Sequence, residues 1–323
     1  MLKRRLMQEW LLFCANPAEL RMPAMLQNAA TEAELLRQSD RHGVLPAFMR
    51  RFPFAGAASP TLKTEARDRN RGNQLFTALL LHHGSAVMAD AARLPAVVVK
   101  GPVFAQTIYP DSSLRGYTDI DILAAPAALP RLAAILEAHG FALAGSTAQD
   151  KRQEWKWLHR AKAGVMIEVQ TNLVHGTAIR KAVSLGYDDI ADAPAKPSTQ
   201  LLVALVHAGA VHQYERLQLL VDICHAARAL NGPEDERRFE WMVERTGARL
   251  VAVTGLQIAG RLFQNSRCLE LANTLKPARY SGLAVRLLGK AVVTATMGDR
   301  RALYSWRRQI VRELLKRSRS RLG

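Results

Sequence analysis

The sequence predicts an α+β protein, a small mixed β-sheet flanked by N-terminal and C-terminal helical regions. Three observations predict it. Val97-Val98-Val99 is a short β-branched run and reads as a buried strand. Tyr117 to Leu123 reads as a second strand, carrying the carboxylates Asp119 and Asp121. Gln153 to Gln170 reads as a β-hairpin, while both ends of the chain show helical periodicity. The resulting division is a helical region over 1–92, a core over 93–175, and a C-terminal helical domain with a basic tail over 176–323.

Composition narrows the class. The chain has 323 residues, enough for about two domains. Hydrophobic residues make up 49% and charged residues 23%, which excludes a disordered chain. No apolar run reaches the length of a membrane span. Near the N-terminus the apolar stretch is only Trp10 to Ala15, short for a signal peptide, so an amphipathic helix is expected there. Cys14, Cys224 and Cys268 form neither a disulfide framework nor a zinc pattern, and a reducing cytoplasm is the expected compartment. Net charge is +17, and the segment from Arg300 to Gly323 holds nine basic residues against Glu313 alone. Such a field favours polyanions: an NTP, nucleic acid, an acidic membrane surface or an acidic protein. The alternative is a solvated, frayed basic tail.

Taken in order, Glu32 to Gln38 is expected as a helix, with Thr31 as its cap and Glu34 three residues on. His42 reads as structural. Phe52 to Pro60 reads as a loop. Leu62 to about Ala92 reads as a long helix, with Leu75, Leu79 and His82/His83 on one face. His82 and His83 are adjacent, so they do not share a helix face as a metal pair. Pro102 opens a short helix over Val103 to Tyr109, because proline suits the first helical position. Tyr109-Pro110-Asp111-Ser112-Ser113 is turn chemistry. Pro126 to His139 reads as a helix stopped by Gly140, and Phe141 to Leu143 as a strand. In the hairpin, Trp155 and Trp157 share one side, Ala161 to Gly164 is the turn, and Met166, Glu168 and Gln170 share one face of the return strand. Beyond Ser198 the chain reads as helical, with Thr199 to Leu230, Glu240 to Ala259 and Leu283 to Ala295 as segments and a break at Asn231-Gly232-Pro233. As one helix, the first of these puts His207, Tyr214, Gln218, Asp222 and His225 within about 60° of a line, a stripe that faces either a cleft or solvent.

Asp119 and Asp121 carry the chemistry. Two apart on a strand, they point to one face, roughly 6.5 Å apart along the chain. Like charges there are costly unless a cation neutralises them. Carboxylate oxygens suit Mg²⁺, which takes one or two carboxylates plus substrate phosphates. Just before them, Lys100-Gly101 runs into a helix start, where free backbone amides can hold a phosphate and Lys100 adds positive charge.

Lys100-Gly101, Tyr109-Pro110-Asp111, Arg115 and Asp119-Ile120-Asp121-Ile122-Leu123 together resemble the nucleotidyltransferase superfamily with the DNA polymerase β-like fold. The chain looks most like its bacterial "uncharacterised nucleotidyltransferase" family, whose core reads LKG, YPDP, R, DIDLLV. Val99 and Ser112 depart from that pattern. The N-terminal helical region with His42, and the segment with His207, His212, Arg216 and Asp222, resemble the same family. The resemblance implies that Glu168 is the third acid, on a later hairpin strand. The family often has acid-x-His there; this chain has Gln170, which hydrogen-bonds but does not titrate.

It further implies Mg²⁺- or Mn²⁺-dependent transfer of NMP from an NTP, expected to be ATP, with release of pyrophosphate. Asp119, Asp121 and Glu168 would hold the metal. Lys100, Gly101 and Arg115 would contact phosphate, with a salt bridge from Arg115 to Asp111 as the alternative. Gln170, His207, Tyr214 and Asp222 would line the cleft. The acceptor, a small molecule, peptide, protein or RNA, is left open. Two rivals stand: a toxin-type enzyme that modifies tRNA or another RNA, helped by the basic tail, and a degenerate protein that binds a nucleotide or partner without turnover.

Overall fold

In a computed structural model, residues 2–17, 23, 29–52, 60–144, 153–294 and 303–318 are described. Five strands form one sheet: β1 (Ala96–Val99), β2 (Ile120–Ala124), β3 (Phe141–Leu143), β4 (Glu154–His159) and β5 (Met166–Gln170). Their spatial order is β1-β2-β5-β4-β3. β2 and β5 are parallel, and the other pairs are antiparallel, so the sheet is mixed as expected.

Period two in β2 sorts its side chains. Ile120, Ile122 and Ala124 join an apolar cluster that includes Leu80 and Val87 of a long helix (Pro60–Ala91) and Leu132 and Leu136 of a shorter one (Leu129–Ala138). Leu123 belongs to the other cluster, shared with N-terminal and C-terminal helices. Asp121 lies between Ile120 and Ile122, on the Leu123 face. β5 repeats the division: Ile167 and Val169 join the first cluster, and Glu168 and Gln170 take the opposite face. Burying each such aliphatic side chain contributes roughly 1.5–3 kcal/mol, which fixes the strand register and with it the face the acids present.

Several boundaries differ from expectation. β2 begins at Ile120, so Asp119 precedes the ladder. The helix expected from Glu32 already runs at Ala29, so Thr31 lies inside it rather than capping it. Leu75 and Leu79 face outward, 62% and 36% exposed, because Leu80, Gly84, Val87 and Ala91 supply the core-facing stripe. Glu240 to Ala259 is two helices, Pro233–Arg245 and Arg249–Phe263. Gly247 separates them at φ +70°, where a Cβ would meet Ala182 O at 2.2 Å. Thr199 to Leu230 is likewise not one helix. Pro197–Val206 passes through a π-helical turn (His207–Val211), and a new helix runs over Leu217–Ala229. Gln213 and Tyr214 take positive φ at the break, and the Tyr214 hydroxyl donates to Val251 O at 2.6 Å. The C-terminal basic segment is no frayed tail over Leu303–Arg317: it is a helix with Val311, Leu314 and Leu315 buried. The loop expected over Phe52 to Pro60 falls on residues 53–59, and part of the basic end on 300–302 and 319–323, outside the described residues.

His42 is structural. It is buried, its Nδ1 accepts from Leu217 N at 3.3 Å, and its carbonyl accepts from Gln218 N at 3.1 Å. Burial, aided by Arg216, lowers its pKa to about 4. The unfolded chain protonates near pH 6.5, so stability is lost as pH falls from 6.5 towards 4. At pH 5 this histidine alone costs about 2 kcal/mol. The loss of stability between pH 7 and pH 5, measured by urea unfolding, is expected to be about 2 kcal/mol smaller in His42→Gln than in the parent.

Candidate active site

Asp119, Asp121 and Glu168 line one cavity of about 370 Å³ between the sheet and the C-terminal helices. The register explains why. Asp121 pairs with Glu168 across the parallel β2–β5 ladder, and Glu168 pairs with Lys156 across β5–β4. Neighbouring strands lie about 4.8 Å apart, so the three side chains form a row. Asp119, one residue before the strand, adds its charge to both Asp121 and Glu168.

Lysines answer this negative charge. Lys100 Nζ stands 2.7 Å from Asp121 Oδ1, with both side chains almost fully buried. Lys156 Nζ lies 2.8 Å from Glu168 Oε1. Lys100 adopts φ 56° and ψ −140°, a backbone state that costs a non-glycine residue about 1–3 kcal/mol. Gly101 follows at φ +30°, and a Cβ there would stand 3.3 Å from Asp119 O. Gly101→Ala is therefore expected to displace the Asp119 backbone, read as a drop in melting temperature.

The protonation chemistry is that of a crowded acid cluster. Burial pushes Asp121 up to about 7; Lys100 opposes the rise, and Asp119 and Glu168 add to it. Glu168 is also raised by burial, against its hydrogen bond from Lys156. Glu154, a further acid in the wall, is drawn down to about 2 by His175 despite burial. Carboxylate oxygens facing one space, already held by two ammonium groups, match a hard divalent cation in donor type and charge. Among the described residues, no three His, Cys, Asp or Glu side chains stand close enough to hold a metal as they are. Lys100 and Lys156 would have to release Asp121 and Glu168 first.

The remaining expected residues divide. Lys100 and Gly101 line the cavity, as does His207. Gln170 is fully buried behind the wall, and its Nε2 donates to Asp121 Oδ1 at 2.7 Å. Tyr214 does not reach the cleft; it sits in the apolar core. Asp222 is not a lining residue either. It takes both arms of the Arg115 guanidinium, Nε at 2.9 Å and Nη2 at 3.0 Å, and the Tyr109 hydroxyl at 2.7 Å. Arg115 thus pairs with Asp222 rather than Asp111, and its third contact is Gly101 O at 3.2 Å. The Arg115 side chain borders the cavity but is committed to joining the Lys100-Gly101 turn to the helix over Leu217–Ala229.

Glu154, Lys156, His175, His212 and Arg216 also line the cavity. For the hairpin pair the sequence carries a signal: period two puts Glu154 and Lys156 on one face of β4, opposite Trp155 and Trp157. His175 lies five residues beyond Gln170, outside any acid-x-His spacing.

The pattern description "uncharacterised nucleotidyltransferase" matches residues 28–264. No curated protein and no solved structure matches the chain. Among the described residues no helix is long and apolar enough to cross a membrane. The matched span takes in the sheet, all three acids and most of the helices that roof them, and the chain belongs to the uncharacterised nucleotidyltransferase family.

Proposed function

We propose that the protein transfers NMP from an NTP, ATP by expectation, to an acceptor hydroxyl and releases pyrophosphate. The observation that carries this reading is the meeting of Asp119, Asp121 and Glu168 in one cavity beside the Lys100-Gly101 turn. Asp119 and Asp121 would hold Mg²⁺ or Mn²⁺, with Glu168 adjacent. The cation, when bound, supplies positive charge to the triphosphate oxygens. The acceptor oxygen bonds to the α-phosphorus, and the bond from that phosphorus to the bridging oxygen of the leaving pyrophosphate breaks. The acceptor proton passes to Glu168, whose raised proton affinity suits a base. Lys100 and Lys156 balance the charge.

The test is incubation with ATP labelled at the α- or γ-phosphate, Mg²⁺ and a cell extract. The α-label is expected in an acceptor and the γ-label in pyrophosphate. Transfer of the γ-label would instead identify a kinase.

A second reading, an RNA acceptor, is favoured by one observation. The helix over Leu303–Arg317 carries Arg307, Arg312, Lys316 and Arg317 with an exposed Trp306. It is tied to the cavity wall through Arg308 to Glu215 at 3.0 Å, and Glu215 to His212 at 2.8 Å. Base stacking on tryptophan beside basic residues suits single strands. If RNA is the acceptor, log binding constant falls steeply with log salt, and Trp306→Ala weakens binding; a flat salt dependence excludes it.

A further inference from the structure

We infer that His175 is a positioning residue that acts through Gln170 to orient the Asp121 carboxylate. The inference rests on the transfer reading, and concerns how Asp121 is aimed. Four side chains form a continuous row. Glu154 Oε2 lies 3.2 Å from His175 Nδ1. His175 Nε2 lies 3.1 Å from Gln170 Oε1. Gln170 Nε2 donates to Asp121 Oδ1 at 2.7 Å. Gln170 is fully buried, so its amide has no water to turn towards.

The row has a direction. An amide has one accepting end and one donating end. A carboxylate at Nδ1 and an amide oxygen at Nε2 call for a ring N–H on both nitrogens of His175; the Nε2–H then holds the accepting end, and the donating end is left for Asp121. Were the amide to turn over, its oxygen would meet the oxygen of Asp121 and its NH₂ would meet a ring N–H. Both contacts are repulsive. Glu154 on β4 fixes the ring in turn. Asp121 Oδ1 therefore receives two donors, Gln170 and Lys100. That fixes the rotation of the carboxylate and turns Oδ2 away from both. Partners of this kind typically matter about 10–100-fold in metal affinity or activity.

The register explains the arrangement. Glu154 pairs with Gln170 across the β4–β5 ladder, which places Glu154 beside the amide. β5 ends at Gln170, and the chain returns so that His175 reaches back to both. The amide at 170 and the ring at 175 are thus one device.

Two measurements test it. The first follows hydrogen exchange of the Gln170 side-chain NH₂ by NMR in the metal-free protein. Protection is expected in the parent and loss of protection in His175→Leu, with backbone amides of β5 unchanged. Unchanged protection of the NH₂ in His175→Leu overturns the inference, whatever the enzyme does. The second follows label transfer from α-labelled ATP. His175→Leu is expected to lower kcat about 10–100-fold with KM for ATP little changed. Gln170→His in the His175→Leu background is expected to recover most of the loss, since an imidazole at 170 donates to Asp121 directly. A double variant no better than His175→Leu overturns the inference, because His175 then acts only as a partner of Glu154. If the parent transfers no label, the transfer reading fails, and the exchange measurement still decides the role of His175.

Discussion

Asp119→Asn combined with Asp121→Asn is expected to cut nucleotidyl transfer about a thousandfold or more. Charge stabilisation by a bound cation is worth several kcal/mol in such reactions. At 1.36 kcal/mol per tenfold, losing it gives that factor. The substitution keeps the size of each side chain, so the cavity keeps its shape. It also has a structural cost. Lys100 is buried against Asp121, and Asn leaves its ammonium without that partner. Asp119 has no such tie and is only half-buried. Asp119→Asn alone is therefore the cleaner probe, with a large rate loss and an unchanged melting temperature. Undiminished transfer by the double variant would remove the proposed mechanism.

Asp222→Ala is expected to destabilise the fold by about 3–5 kcal/mol, the cost of stranding a buried charge. Asp222 and Arg115 are both nearly inaccessible and held by two hydrogen bonds. The guanidinium also lies over the Phe104 ring at 5.2 Å, so removal of its counter-charge leaves it enclosed. The Tyr109 hydroxyl loses its acceptor as well. Replacing both partners, Arg115→Met with Asp222→Leu, is expected to cost less than Asp222→Ala, since no charge is then stranded. Tyr109→Phe is expected to cost about 1 kcal/mol. Urea unfolding measures all three. An Asp222→Ala protein as stable as the parent would show that the pair does not join the Lys100-Gly101 turn to the C-terminal helices.

The sheet was legible because its strands carry local signals. Val97 to Val99 and the alternation through β4 and β5 are visible without any partner. Asp119, Asp121 and Glu168 were legible for the same reason, with the family pattern adding the third acid. What failed depended on contacts remote in sequence. Tyr214 looked like part of a polar stripe, but its hydroxyl answers Val251 O in another helix and its backbone breaks the segment. Asp222 looked like a cleft residue, yet its partner Arg115 lies 107 positions away. His175 carried no motif spacing at all. Its role emerges only when β4 and β5 pair and bring Glu154 and Gln170 to its ring. Nor did charge counting reveal that the basic C-terminal segment buries Val311, Leu314 and Leu315 and so folds as a docked helix.

The central claim is that Asp119, Asp121 and Glu168 gather a divalent cation beside a triphosphate. Crystals grown with Mn²⁺ and a non-hydrolysable ATP analogue test it through the anomalous signal of manganese. A peak within bonding distance of Asp119 and Asp121 oxygens, with Lys100 withdrawn from Asp121 and the triphosphate against the Lys100-Gly101 turn, is the expected result. A bound analogue with no manganese at these carboxylates, and Lys100 still on Asp121, would contradict it.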